Sequence, residues 1–420
     1  MSSGQLALRR ILRRRAARYA ERHHLKLVKA ASRRLDLKSV RGPGDGADVR
    51  VARREAAEGE NAPQHLGLRR VLASSLDAAQ VEVDSRILRR GSGHATSSLS
   101  HHLVYCDAGK SPQRQILEKV LAAGGSRSSS SAYWAQEAAI YLHLAGKDEL
   151  GGVTLARCYG VHYSDRQNIH LYLEYLHGCR PPKTLTDYEL IARRLGEFNG
   201  WAAKEQIWKE RWLKPDRGLA VRSRANALNN AIQAFFAEHE DRERLLGIVR
   251  NVAQGANKLG QIEAVTPPTL AHGDTHAGNI LISEKDRRLY LIDWGKASSS
   301  RLGYDLVKVA APWTHILGRG GKFAEYTELE SFLLSEYLDG ICSFLPEMER
   351  SVIERYYYLR SFVEVVRILP LIIKRYQSAP SKKHRLKLEK NRKELARFLI
   401  SQGEQALSIL DRTAPISPSA

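Results

Sequence analysis

The sequence predicts an α+β chain in two lobes. The first is a small antiparallel sheet with one main helix, and the second is large, mostly helical and contains a β-hairpin. Three observations carry this. Apolar and polar residues alternate with period two in short runs between residues 81 and 177. From Asp187 onward the apolar spacing is helical. Within that helical part, Asn279-Ile280-Leu281-Ile282 and Leu289-Tyr290-Leu291-Ile292 bracket the turn Glu284-Lys285-Asp286, which reads as a hairpin.

The 420 residues suffice for two or three domains or one large two-lobed one. A hydrophobic fraction of 43% argues against a disordered chain. Cys106, Cys158, Cys179 and Cys342 show no CxxC spacing, so neither a disulfide scaffold nor a zinc site is expected. A reducing, cytoplasmic setting fits best, with the inner face of a membrane as the alternative. No uninterrupted apolar stretch of about 18 residues is present.

The elements follow in order. Residues 1–64 form a basic extension and linker. Residues 1–40 carry 12 Lys and Arg against Glu21 and Asp36, half of the net charge of +20. Leu8, Ile11, Leu12 and Tyr19 lie near one face of a basic amphipathic helix. Such an arm fits an anionic membrane surface. A solvated arm without a partner is the alternative, and nucleic acid is disfavoured. Arg41-Gly42-Pro43-Gly44-Asp45-Gly46 reads as linker. The first lobe spans 65–177, with a short helix at 65–80 and then strands at Val81-Glu82-Val83-Asp84, Leu99 to Cys106 and Gln115 to Leu121. A helix from Tyr133 to Leu144 precedes two more strands, Thr154 to Gly160 and Ile169 to Tyr175. The second lobe spans 178–420 and ends in long amphipathic helix over 323–412.

Chemistry concentrates in Leu270-Ala271-His272-Gly273-Asp274-Thr275-His276-Ala277-Gly278-Asn279-Ile280-Leu281, followed by Leu291-Ile292-Asp293-Trp294-Gly295. The hairpin brings Asn279 and Asp293 toward one point. An Asn carbonyl and an Asp carboxylate are hard oxygen ligands suited to Mg²⁺, which keeps phosphates and waters in its other positions. Asp274 would stand beside them, facing a substrate hydroxyl. This is how kinases divide the work: a loop Asp orients the nucleophile, while Asn and Asp hold metal on the phosphates of ATP.

The run His272-Gly273-Asp274 with Asn279, then Ile292-Asp293-Trp294, resembles the aminoglycoside phosphotransferase and choline kinase superfamily, which has a protein-kinase-like fold. The resemblance implies Asp274 as catalytic base, Asn279 and Asp293 on the metal, and His272 and Asp305 as structural support. His276 reads as structural. Upstream it implies Lys119 as the nucleotide-phosphate lysine and Glu137 as its helix partner. Gly91-Ser92-Gly93 stands where a phosphate-covering loop would be, or is a plain hairpin turn. Leu171 to Gly178 resembles the segment between lobes, where the main chains of Glu174 and Leu176 would read the adenine edge. Leu195-Gly196-Glu197-Phe198-Asn199 resembles the start of the family's next helix.

The implied activity is ATP- and Mg²⁺-dependent phosphorylation of a hydroxyl on a small molecule. A charge of +20 disfavours polycationic and choline-type acceptors and favours a sugar or a lipid-linked envelope precursor. Trp201, Trp208 and Trp212 fall near one helical face and serve either the core or an acceptor pocket. An atypical protein kinase, or a non-catalytic basic module on a kinase scaffold, are the competing classes. Neither Asp-Phe-Gly nor Ala-Pro-Glu occurs where an ordinary protein kinase has it. Oligomeric state is left open.

Overall fold

Alternation of period two produces the first sheet. A computed structural model of the chain describes residues 81–90, 96–106, 114–122, 135–144, 147, 149–163, 168–216, 225–310, 323–377 and 382–412. The basic extension, the expected helix at 65–80 and the turn Gly91-Ser92-Gly93 lie outside the described residues. Strands β1 (Val81–Arg90), β2 (Thr96–Cys106), β3 (Arg114–Ala122), β4 (Cys158–Tyr163) and β5 (Asn168–Glu174) form an antiparallel sheet in the order β1-β2-β3-β5-β4.

On β3, Leu117, Lys119 and Leu121 share one face by strand alternation. That face meets helix α1 (Gln136–Leu144), whose Ala138, Ile140, Tyr141 and Leu144 join the same buried cluster as Leu121. A lysine at a core-facing position breaks the local pattern, as functional residues do.

The strand expected to begin at Thr154 begins instead at Cys158. The reason lies across the molecule: Thr154 bridges Tyr290 in parallel and donates its N–H to the Leu289 carbonyl at 2.7 Å. This backbone ties the sheet to the hairpin rather than lengthening a strand.

Strand β6 (Cys179–Arg180) crosses to the hairpin of β8 (Ile280–Ser283) and β9 (Leu289–Leu291) in the order β6-β8-β9. Strand β7 (Pro268–Ala271) pairs with β10 (Ser298–Arg301). Helix α2 (Leu185–Lys204) starts in a capping box. The Thr184 hydroxyl accepts from the Asp187 N–H at 3.2 Å, and the Asp187 carboxylate accepts from the Thr184 N–H at 3.0 Å. Leu195 to Asn199 therefore lies in the second half of a helix, not at the start of one. Helix α2 stops at Glu205, and Gln206 takes a left-handed φ of 57°. That break separates Trp201 on α2 from Trp208 and Trp212, so the three rings do not share one helical face. Trp212 stacks on His143 with centroids 4.8 Å apart, and Lys147 lies over Trp201.

Helices α3 (Ala225–Phe235), α4 (Arg242–Gln254) and α5 (Ala256–Val265) precede β7. Helix α6 (Tyr304–Ala310) follows β10. The tail is three helices rather than one: α7 (Phe323–Cys342), α8 (Arg350–Gln377) and α9 (Lys382–Arg412). The chain turns between α7 and α8 in residues 343–349, a segment holding Pro346, whose missing N–H disfavours a helix interior.

Helix α7 lies against α2 at a distance only glycine permits. A methyl on Gly196 would sit 2.0 Å from the Tyr337 carbonyl oxygen. Two buried clusters meet along α8, with Tyr357 in the one that includes the sheet and hairpin and Tyr356 in the one built by α3, α4 and α9. Together these elements make the α+β fold that the sequence predicts, a small antiparallel sheet with one main helix followed by a mostly helical part holding a hairpin. Among the described residues no helix is long and apolar enough to cross a membrane.

Candidate active site

The site forms where β3, α1 and the two loops around the hairpin meet. Lys119 projects from β3 and donates to Glu137 of α1 at 2.5 Å and to Asp293 at 2.8 Å. Its side chain is only 10% exposed. Burial works to lower its pKa, but Glu137 and Asp293 outweigh burial and raise it, so the ammonium stays charged. Glu137 also accepts a backbone hydrogen bond from Trp294. One carboxylate thus links strand, helix and the turn after β9.

That turn is strained. Asp293 has φ 66° and ψ 62°, a left-handed conformation that a non-glycine residue adopts at an energetic cost. The buried Trp294 fixes it: its indole N–H donates to the Leu291 carbonyl at 2.9 Å, and its ring packs edge-on against His272 and Phe198. The Asp293 carboxylate is 55% exposed. Burial would raise its pKa, but Lys119, followed by His272 and Lys296, holds it below the usual carboxylate range.

The loop after β7 hangs from Asp305. Both oxygens of this buried carboxylate are engaged: one accepts from the His272 N–H and the other from the Gly273 N–H, each at 2.9 Å. The Asn199 amide donates to Asp305 at 3.1 Å and to the Leu270 carbonyl at 3.0 Å, and it accepts from the Tyr337 hydroxyl at 2.7 Å. Thr275 donates its hydroxyl to the Asp305 carbonyl at 2.5 Å. Gly273 has φ 78°, and a methyl there would lie 2.3 Å from the Lys296 carbonyl oxygen. Glycine is therefore required on both counts.

His272 is buried, and burial lowers its pKa, so the ring is neutral. Its Nε2 lies 3.0 Å from the Ile292 carbonyl, which accepts only from an N–H, so Nδ1 is left to accept the Asp274 N–H at 3.3 Å. One imidazole thereby bridges the two loops.

Asp274 faces outward, 18% exposed, with Lys296 Nζ 2.6 Å from its Oδ2. The Asn279 amide nitrogen donates to the Asp274 carbonyl at 3.0 Å and approaches its Oδ2 at 3.4 Å. The Asn279 main-chain carbonyl accepts from the Ile292 N–H at 3.0 Å, so Asp293 follows directly across the hairpin. His276 accepts from the Gly278 N–H at 3.0 Å and shapes the turn.

Residues 125–332 match the family model described as the phosphotransferase enzyme family. That segment belongs to this family. The phosphotransferase segment holds Glu137, Asp274, Asn279, Asp293, Lys296 and Asp305, and Lys119 lies just before it. The chain is also similar to solved structures. An amicoumacin kinase in complex with AMP-PNP, Ca²⁺ and Ami is 13% identical, with a TM-score of 0.47 over 74% of this chain and 88% of that one. A choline kinase from Cryptosporidium parvum Iowa II is 13% identical, with a TM-score of 0.47 over 84% and 100%. The choline kinase LicA from Streptococcus pneumoniae is 16% identical, with a TM-score of 0.40 over 80% and 99%. No curated protein matches the chain by sequence.

Of the residues singled out from the sequence, Lys119, Glu137, His272, Asp274, Asn279, Asp293 and Asp305 come together in one hydrogen-bonded set. Glu174, the last residue of β5, and Leu176, in the segment between β5 and β6, are not part of that set. The Glu174 N–H is committed to the Arg157 carbonyl at 2.8 Å, so only its carbonyl oxygen can face a base. Below this segment Asp187 is buried and accepts from Arg180 at 2.8 Å and Arg287 at 3.0 Å. It thereby joins β6, α2 and the hairpin turn.

Three contributors escaped the sequence reading. Asn199 and Tyr337 act across more than 100 residues of separation and leave no local signal. Lys296 had one: it stands three residues after Asp293.

Proposed function

We propose that the chain is an ATP-dependent kinase that moves the γ-phosphoryl group to a hydroxyl of a small molecule. The acceptor we favour is a sugar or a lipid-linked envelope precursor. The observation that supports this best is the continuous set Glu137–Lys119–Asp293 beside Asp274–Asn279. It pairs a phosphate-binding cation with a carboxylate placed for an incoming hydroxyl.

The residues fit a divalent cation. The Asn279 amide nitrogen is turned inward, which leaves its carbonyl oxygen, and Asp293 offers the carboxylate oxygen that Lys119 does not take. Two hard oxygens suit Mg²⁺, whose remaining positions are filled by phosphates and water. The chemistry such a cation supplies is charge neutralisation on the phosphate oxygens.

In this reading Lys119, held charged by Glu137, binds the nucleotide phosphates. Asp274 orients the acceptor hydroxyl in line with the γ-phosphorus. The bond from that phosphorus to the bridging oxygen of ADP breaks as the bond to the acceptor oxygen forms, and the hydroxyl proton passes to Asp274. The products are ADP and the phosphate ester. Asp305 and Asn199 keep the loop from reorganising. The carbonyl of Glu174 and the main chain of Leu176 border the base. The net charge of +20 supports an acceptor that is neutral or anionic.

The test is incubation with Mg²⁺ and γ-labelled ATP plus host extract separated into aqueous metabolites, lipids and proteins, with Asp274→Asn in parallel. Label entering the metabolite or lipid fraction with the wild type alone is expected. Label entering only proteins would replace this reading with a protein kinase.

A further inference from the structure

We infer that Lys296 is a catalytic residue that contacts the phosphoryl group in transit, a role that rests on the kinase reading above. In the nucleotide-free arrangement its Nζ lies 2.6 Å from Asp274 Oδ2. An exposed lysine–carboxylate pair is ordinarily an incidental surface contact. Three features set this one apart.

The first is the base it stands on. Lys296 closes the one-turn helix Trp294–Lys296, which begins at the strained Asp293 and is anchored by the buried Trp294. Its own carbonyl lies directly against Gly273, where no Cβ would fit. The backbone of Lys296 is thus locked to the loop that carries Asp274.

The second is the asymmetry of exposure. The Lys296 side chain is 48% exposed while Asp274 is 18% exposed. The ammonium therefore reaches Asp274 from the solvent side.

The third is the placement of charge. Lys119 is confined behind Asp293, bonded to two carboxylates. Asp274 aligns the acceptor oxygen with the γ-phosphorus, so a cation within hydrogen-bond reach of Asp274 is also within reach of the equatorial phosphoryl oxygens. Those oxygens carry the charge of the loose transition state. A lysine on a flexible four-carbon stem can leave Asp274 for them. While it stays on Asp274 it occupies the oxygen that the acceptor hydroxyl needs. Arrival of nucleotide moves the ammonium to phosphate and frees that oxygen.

Binding measurements test this without knowledge of the acceptor. Affinity is measured for Mg-ADP (Mg-GDP alongside) and for the same nucleotide with aluminium fluoride, which mimics the phosphoryl group in transit. Lys296→Met is expected to bind the nucleotide like the wild type but to bind the aluminium fluoride complex about 100-fold more weakly, the order of loss for one preorganised donor. Lys296→Arg should restore most of that loss. Equal aluminium fluoride affinity in wild type and Lys296→Met would overturn the inference, even if turnover fell, because Lys296 would then act only through Asp274. A wild type that binds neither nucleotide would overturn the kinase reading itself, and the inference with it. Thermal unfolding of each variant shows whether it is folded, and Lys296→Gln serves if Lys296→Met is not.

Discussion

Two lysine–carboxylate pairs flank Asp293, and they differ in what surrounds them. Lys119 and Glu137 meet at 2.5 Å, and Lys296 and Asp274 meet at 2.6 Å, so the bonds are alike in length. The first pair is buried between a sheet and a helix, and its lysine also holds Asp293. The second is open to solvent on its lysine, and among the described residues that lysine bonds one carboxylate, Asp274. A buried pair cannot lose one member without leaving the other charge stranded. A half-exposed pair can separate at little cost, because water replaces each partner. The same chemistry therefore serves as framework on one side and as a movable contact on the other.

The largest effect should come from the open side, on rate. Asp274→Asn is expected to lower phosphotransfer by about 10²- to 10⁴-fold, the range for a positioned acid or base, and to leave nucleotide affinity nearly intact. Steady-state turnover beside calorimetric nucleotide binding separates the two quantities, and unchanged turnover would remove Asp274 from its role.

The next should come from the buried side, on stability. Lys119→Met leaves Glu137 buried without its cation, which costs about 3–5 kcal/mol by denaturant unfolding. Lys296→Met in the same assay should cost about 0–1 kcal/mol. Equal losses would erase the distinction drawn between the pairs.

Asp305→Ala sharpens the comparison from beneath. It strands the His272 and Gly273 N–H groups, at about 1–3 kcal/mol for each buried donor left unsatisfied. Hydrogen exchange should rise first in the loop 272–279, and protection unchanged there would argue against Asp305 as its anchor.

The last effect lies away from the two pairs, and acidification removes it. Burial would raise the pKa of Asp187, but hydrogen bonds from Arg180, Lys183 and Thr184 hold it well below the carboxylate range. Below about pH 4, the ordinary Asp value, the unfolded chain takes the proton while the folded one does not. The contribution is thus complete above about pH 4 and drains away as pH falls toward the depressed folded value. Urea midpoints at pH 7 and pH 3 should converge for wild type and Asp187→Asn on acidification. A constant gap would exclude this linkage.

The strongest signals in the sequence were local ones. Asp274, Asn279 and Asp293 lie within 20 residues of one another, and hairpin register alone brings Asn279 and Asp293 together. Lys119 was legible only through the resemblance, because a single lysine in a short apolar run carries no signal of its own. Thr154 was misread because its backbone partner, Tyr290, is more than 130 residues away. The Trp201–Trp212 stripe failed because a single residue, Gln206, ended the helix. The tail was read as continuous because helical spacing persists across the turn at Pro346.

By itself the sequence determined the class of the fold, the hairpin and the polar residues set around it, since strand and helix periodicity and turn chemistry act over a few residues. Only the tertiary structure decided which lysine is buried and which is open, and that Asn199 and Tyr337 join Asp305 in holding the loop after β7. Burial and long-range hydrogen bonds depend on what packs from elsewhere in the chain, and no local pattern encodes that.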